Sequence, residues 1–175
     1  TVLNKSAKVD KTDPTQLVDK IEAYIDEIRK LRSENEKLKA KLASSSITDV
    51  LDKVVEVEGV KLLASKVPEL DMNGLRNLGD KLKDKLGEGV IVLASSTAPD
   101  KVNLLVMISN EAIKQGAHAG KLIKVLSSLV DGGGGGRPNM AQAGGKSAAG
   151  IDAAIAKAKE ELASQIQSQK MVDKP

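Results

Sequence analysis

The residues with chemistry to offer gather between Asp131 and Lys146, in the stretch DGGGGGRPNMAQAGGK. Gly132, Gly133, Gly134, Gly135 and Gly136 run without interruption into Arg137 and Pro138. Each glycine can adopt positive φ, and none carries a Cβ to hold a ligand away from its amide. An ordered run of this kind is expected to form a loop whose N–H groups make an anion-sized concavity, with Arg137 and Lys146 as fixed positive charges at its ends. Upstream, His118 and Gly120 stand at a helix start, where free amides attract anions. Lys121 and Lys124 lie three apart on one edge of the same helix. Convergence of the helix start with the glycine loop would place amides, cations and an imidazole on one face, suited to a phosphate-bearing ligand. The competing reading of the glycines is a flexible linker. Val130 before them and Met140 to Ala143 after them look instead like continuing buried structure.

Covalent catalysis and metal chemistry lack the residues they require. The chain has no cysteine and one histidine, so neither a Cys/His nor a Ser/His/Asp set can be assembled, and a zinc site lacks ligands. The Gly144-Gly145-Lys146-Ser147 ending invites a nucleotide phosphate loop, but the required first glycine is replaced by Met140. Tyr24 is the only aromatic side chain, which removes the platforms that single-strand readers stack bases on. Phosphate and 2′-hydroxyl contacts remain, and these recognise the shape of a folded RNA rather than its sequence. A net charge of +3 permits a polyanion partner. The apolar runs are far shorter than a membrane span.

The elements that must position these residues follow from periodicity. Asp13, Pro14 and Gln16 read as a helix start. From there Leu17, Ile21, Tyr24, Ile28, Leu31, Asn35, Leu38 and Leu42 recur at alternating intervals of four and three, the seam of a coiled coil. Asn35 is a polar seam position of the kind that selects one register or assembly. Ser44 to Ser46 are expected to break this helix. A shorter stripe of Ile47, Val50, Leu51, Val54 and Val55 would then follow, able to fold back on the first helix if a second chain does not. A globular part is expected from Glu58-Gly59 onward. It comprises a strand at Val60–Val67, a helix capped by Asp71 and ended by Gly87, a strand at Val90–Ala94, and its hairpin partner at Val102–Ile108. A helix at His118–Val130, a short strand at Asn139–Ala143 and a helix at Ile151–Gln169 complete it. The fold class is α+β: a long N-terminal coiled-coil helix plus a short helix over residues 1–57. A β-α-β-β-α-β-α domain follows over residues 58–175, with helices packed on a mixed sheet.

The glycine run, its basic residue, Pro138, the Ala141-Gln142-Ala143 segment and Gly144-Gly145, preceded by His118-Ala119-Gly120-Lys121, resemble the C-terminal domain of alanyl-tRNA synthetases. The helical N-terminal third is similar to the coiled segment before that domain, and a chain opening on Thr1 reads as a piece of a longer protein. The resemblance implies a cytoplasmic protein that binds alanine tRNA through Gly132 to Gly136, Arg137, Gln142, Lys146, His118, Lys121 and Lys124, and that dimerises through the helical region. It places ATP, magnesium and zinc chemistry in domains outside this chain. Related glycine-rich domains also follow Asp-His-His nuclease or phosphodiesterase domains, and a dimerisation module without RNA affinity is a further alternative.

Overall fold

The computed structural model describes residues 16–174; the helix start expected at Asp13 to Thr15 lies outside them. Contacts divide the chain into two compact units, residues 1–40 and 41–175. Helix α1 (Leu17–Leu51) presents the expected stripe over the part that falls in the first unit, with Ile21 47%, Ile28 49%, Leu31 56% and Leu38 59% exposed. Leu17 is buried, Tyr24 and Leu42 are about half exposed, and Asn35 is exposed. The Lys20 ammonium stands 5.9 Å from the centre of the Tyr24 ring.

The helix does not break at the serines. It runs 35 residues, straight through Ser44 to Ser46, because serine lowers helix propensity by only about half a kcal/mol per residue and leaves every backbone bond available. No turn exists there on which a second stripe could fold back. Ile47 and Val50 of the last turns instead join the core of the second unit.

That unit is built on one six-stranded sheet in the order β1-β2-β3-β4-β6-β5. Its strands are β1 (Val55–Val57), β2 (Val60–Lys66), β3 (Val90–Ala98), β4 (Lys101–Ile108), β5 (Gly133–Gly136) and β6 (Met140–Gly145). Only β2 and β3 are parallel, joined over the sheet by α2 (Met72–Leu86). The mixed α+β architecture is the expected one, with additions. Val55, assigned by its spacing to a helical stripe, opens β1, and Glu58-Gly59 form the tight turn of the β1–β2 hairpin. Both turn residues have positive φ (53° and 89°), as a two-residue turn matching strand twist demands. A five-residue helix, α3 (Asn110–Lys114), capped by Ser109, precedes α4 (Ala119–Ser128); α5 (Ile151–Val172) closes the chain.

Strand alternation sorts the core into two layers. Val60, Leu62, Val90, Val92, Ala94, Leu104, Val106, Ala141 and Ala143 face α4 and α5. Leu63, Ile91, Leu93, Leu105 and Met107 face α2 and the end of α1. Without large aromatics the packing is aliphatic and close. Gly79 of α2 lies so near Met107 that an added Cβ would stand 2.9 Å from its sulfur. Ser95 on β3 is fully buried, yet its hydroxyl is satisfied. It accepts from Leu70 N at 2.7 Å and can donate to the Leu70 or Pro68 carbonyl, holding the segment that leads into α2. Asp71 then caps α2 by accepting from Gly74 N at 2.8 Å.

Candidate nucleic-acid interface

The glycine run is a strand, and this corrects the expected anion cradle. Gly133 to Gly136 pair antiparallel with β6 in the register Gly133↔Gly144, Gly134↔Ala143, Gly135↔Gln142 and Gly136↔Ala141. None of Gly132 to Gly136 takes the positive φ that a concave nest of amides requires. The bond from Arg137 N to Met140 O, 2.9 Å, sets the alternation of the ladder. Gly133 and Gly135 therefore spend their backbone polar groups on β6, while those of Gly134 and Gly136 point to the sheet edge. Extended pairing satisfies half of the polar groups at once, which a free loop does not.

Close approach is why the strand is glycine. A Cβ on Gly134 would stand 2.5 Å from Ala143 Cα, and one on Gly136 2.5 Å from Ala141 Cα. Gly133 and Gly135 have nothing within 4 Å of that position. The result is a ribbon of nearly bare backbone at the sheet edge. Gly132, Gly133, Gly134 and Gly136 are exposed and Gly135 is half-buried.

Helix α4 lies along this ribbon, so the expected meeting of helix start and glycine run does occur. A Cβ on Gly120 would come within 2.8 Å of Gly136 O, and Ala119 N donates to Pro138 O at 3.0 Å. At the other end Gly132 N donates to Ser127 O, and Lys146 N to Val130 O at 2.8 Å. The open anion site expected at the start of α4 is not there, however. His118 is the N-cap, its Nδ1 accepting from Lys121 N at 3.2 Å, and its own N–H donates to Gln165 Oε1 of α5 at 2.9 Å. Gly120 is buried. With Ala119 and Lys121 amides already bonded, this end acts as a joint.

The cations fall along the ribbon's length. Arg137 is exposed at the β5–β6 turn, beside the start of α4. Lys121 and Lys124 are exposed one turn apart on α4, and Lys146 is exposed at the far end. Strand rise puts Arg137 and Lys146 roughly 15–20 Å apart. They bracket a rail, too long for one anion and fitted to several along a backbone. Gln142 is elsewhere: it shares the sheet face of α2, where its Oε1 accepts from Arg76 Nε at 3.1 Å and from Arg76 Nη2. Arg76 carried no local signal beyond its place beside the buried Leu75 and Leu78. Its partner is 66 residues away. Among the described residues no three His, Cys, Asp or Glu side chains come together as metal ligands would, and no helix is long and apolar enough to cross a membrane.

These features have known counterparts. A sequence model of the DHHA1 domain matches residues 59–164. Over 164 residues the chain is 62% identical to alanine–tRNA ligase 1 of Lachnoclostridium phytofermentans, covering 94% of this chain and 18% of that protein. It is 44% identical to the alanine–tRNA ligase of Acetivibrio thermocellus, covering 94% and 19%. The crystal structure of the C-Ala domain from Aquifex aeolicus alanyl-tRNA synthetase superposes with a TM-score of 0.57 at 32% identity, covering 63% of this chain and 98% of that one. The chain belongs to the C-terminal (DHHA1) domain family of alanyl-tRNA synthetases. The family match takes in the sheet from the β1–β2 turn onward, the glycine ribbon and most of α5. The chain spans about a fifth of the length of the synthetases it matches.

Proposed function

We propose that this DHHA1 domain is the tRNA-holding and dimerising part of an alanine–tRNA ligase. It grips alanine tRNA by its folded sugar-phosphate surface while aminoacylation and editing proceed at the acceptor end, in domains outside this chain that use ATP, magnesium and zinc. The observation that carries the reading is the bare-backbone ribbon of Gly132 to Gly136 and β6, railed by Lys121, Lys124, Arg137 and Lys146. Glycine lets a phosphate backbone come within hydrogen-bond reach of the main chain, and the cations supply the sequence-independent attraction. His118 acts here by fixing the start of α4. Tethering raises the local concentration of the acceptor end at both reaction sites.

Dimerisation belongs to the first unit. The half-exposed Ile21, Ile28, Leu31 and Leu38 form a seam of the kind a second helix covers, with Asn35 selecting the register.

The test is fluorescence anisotropy of the whole chain against alanine tRNA and single-stranded DNA at two salt concentrations. Salt-dependent tRNA binding is expected, and Arg137→Ala and Lys146→Ala should each flatten the salt slope by about one. Absence of tRNA binding at low salt would leave a dimerisation module. Preference for the single strand would point to the nuclease-associated relatives.

A further inference from the structure

We infer that RNA contact continues round the β5–β6 ribbon onto the sheet face of α2, where Arg76 meets a phosphate and Gln142 is the positioning residue that aims it. This rests on the RNA-holding reading and extends it to a face that the glycine motif alone does not reveal.

The second face is open where the first is filled. Ala141 and Ala143 point into the core beneath α4 and α5, so Met140, Gln142 and Gly144 face the other way. By register Gly133 and Gly135 share that face. Nothing stands within 4 Å of where their Cβ atoms would be, and at Gly144 only Val102 O is near, at 3.8 Å. Helix α2 packs over β3 and β4, with Gly79 against Leu105 and Met107. From its flank Arg76 reaches β6. Beyond that guanidinium the two outer strands show backbone, the Gln142 amide and a 40%-exposed Met140. A phosphate backbone can lie on such a surface without displacing any large side chain except Met140.

The Arg76–Gln142 pair is built to aim a charge without cancelling it. Nε and Nη2 both donate to one neutral amide oxygen, which fixes the fork and leaves the Nη1 hydrogens for an outside acceptor. Among the described residues Arg76 makes no salt bridge with a carboxylate. Asp80, one turn along α2, is exposed and not bonded to it. A tie serving only to hold α2 to β6 would be stronger with glutamate at position 142, because a carboxylate adds the opposite charge and a second oxygen for the guanidinium fork. The amide keeps the positive charge available. Lys101, at the start of β4, alternates onto the same face as Asn103, Leu105 and Met107 and adds a second cation there.

Gln142→Glu separates aiming from tying. It preserves the bond to Arg76 and neutralises it, so the thermal midpoint should hold or rise while affinity for alanine tRNA falls about five- to tenfold and the salt slope flattens by about one. Arg76→Ala should lose affinity to the same extent, and Arg76→Lys should recover part of it. Wild-type affinity and slope in Gln142→Glu and Arg76→Ala, alongside a loss in Arg137→Ala, would overturn the inference and leave the pair as a tie between helix and strand. A wild-type chain that binds no tRNA would overturn it together with the reading beneath it.

Discussion

Gly134→Ala and Gly133→Ala form a matched pair in which one methyl group is added at neighbouring positions of the same strand. At Gly134 the new Cβ would lie 2.5 Å from Ala143 Cα, where carbon atoms ordinarily rest about 3.5–4.0 Å apart. The obstacle is partner-strand backbone, so no side chain can turn aside. Relief requires β5 to move by roughly 1 Å, which lengthens its ladder bonds and pulls on the junction with Gly120 and Pro138. Overpacking of this kind costs about 1–3 kcal/mol. For a chain of this size that is a fall of roughly 2–12 °C in the unfolding midpoint. At Gly133 the methyl enters open space, and replacing glycine in an extended segment should be neutral or stabilising by up to about 1 kcal/mol. Thermal unfolding followed by far-ultraviolet circular dichroism measures both. Midpoints within a degree of each other would refute the paired-strand account of the glycine run and restore a loose loop.

Two further outcomes follow. Glu58 is held below the usual carboxylate range, first by the bond from Gln167 Nε2 and then by the Lys170 ammonium, 3.1 and 3.2 Å away. A depressed acid contributes stability above its unfolded pKa and loses it as pH falls through the folded value. The stability difference between wild type and Glu58→Gln should therefore shrink on acidification below the ordinary glutamate range; urea unfolding at several pH values would show it, and a pH-independent difference would refute it. In the first unit Leu31→Glu should shift sedimentation to the monomer and Asn35→Leu should alter the distribution of assemblies, whereas unchanged masses in both would remove the seam from the dimer.

What the sequence disclosed was what local chemistry dictates. The four-three stripe of α1, the Asp71 cap, the Gly87 stop and the apolar run of β3 depend on neighbours a few residues away, and each is where its pattern puts it. Strand β5 escaped because glycine has no side chain to alternate, so a period of two cannot be written in it. The Ser44–Ser46 triplet looked like a break because its cost was weighed without the core contacts of Ile47 and Val50 that hold the helix beyond it. At the candidate site the basic residues and their association with the glycines could be read directly. Which face Gln142 takes could not, because that depends on the register of β6 against β4, set by pairings such as Leu104↔Ala143 nearly forty residues apart. Arg76 lay hidden for the same reason.

The small hydroxyl of Ser95 carries a consequence well beyond its own strand. It is the peg to which the chain between Val67 and Asp71 is fastened, and α2 starts immediately afterwards. Where that helix begins decides where its second turn arrives, and with it the Arg76 guanidinium that reaches across to Gln142 on β6. Trimming a single buried oxygen in the middle of the sheet would thus be felt as a misplaced charge at its rim, among residues the serine never touches.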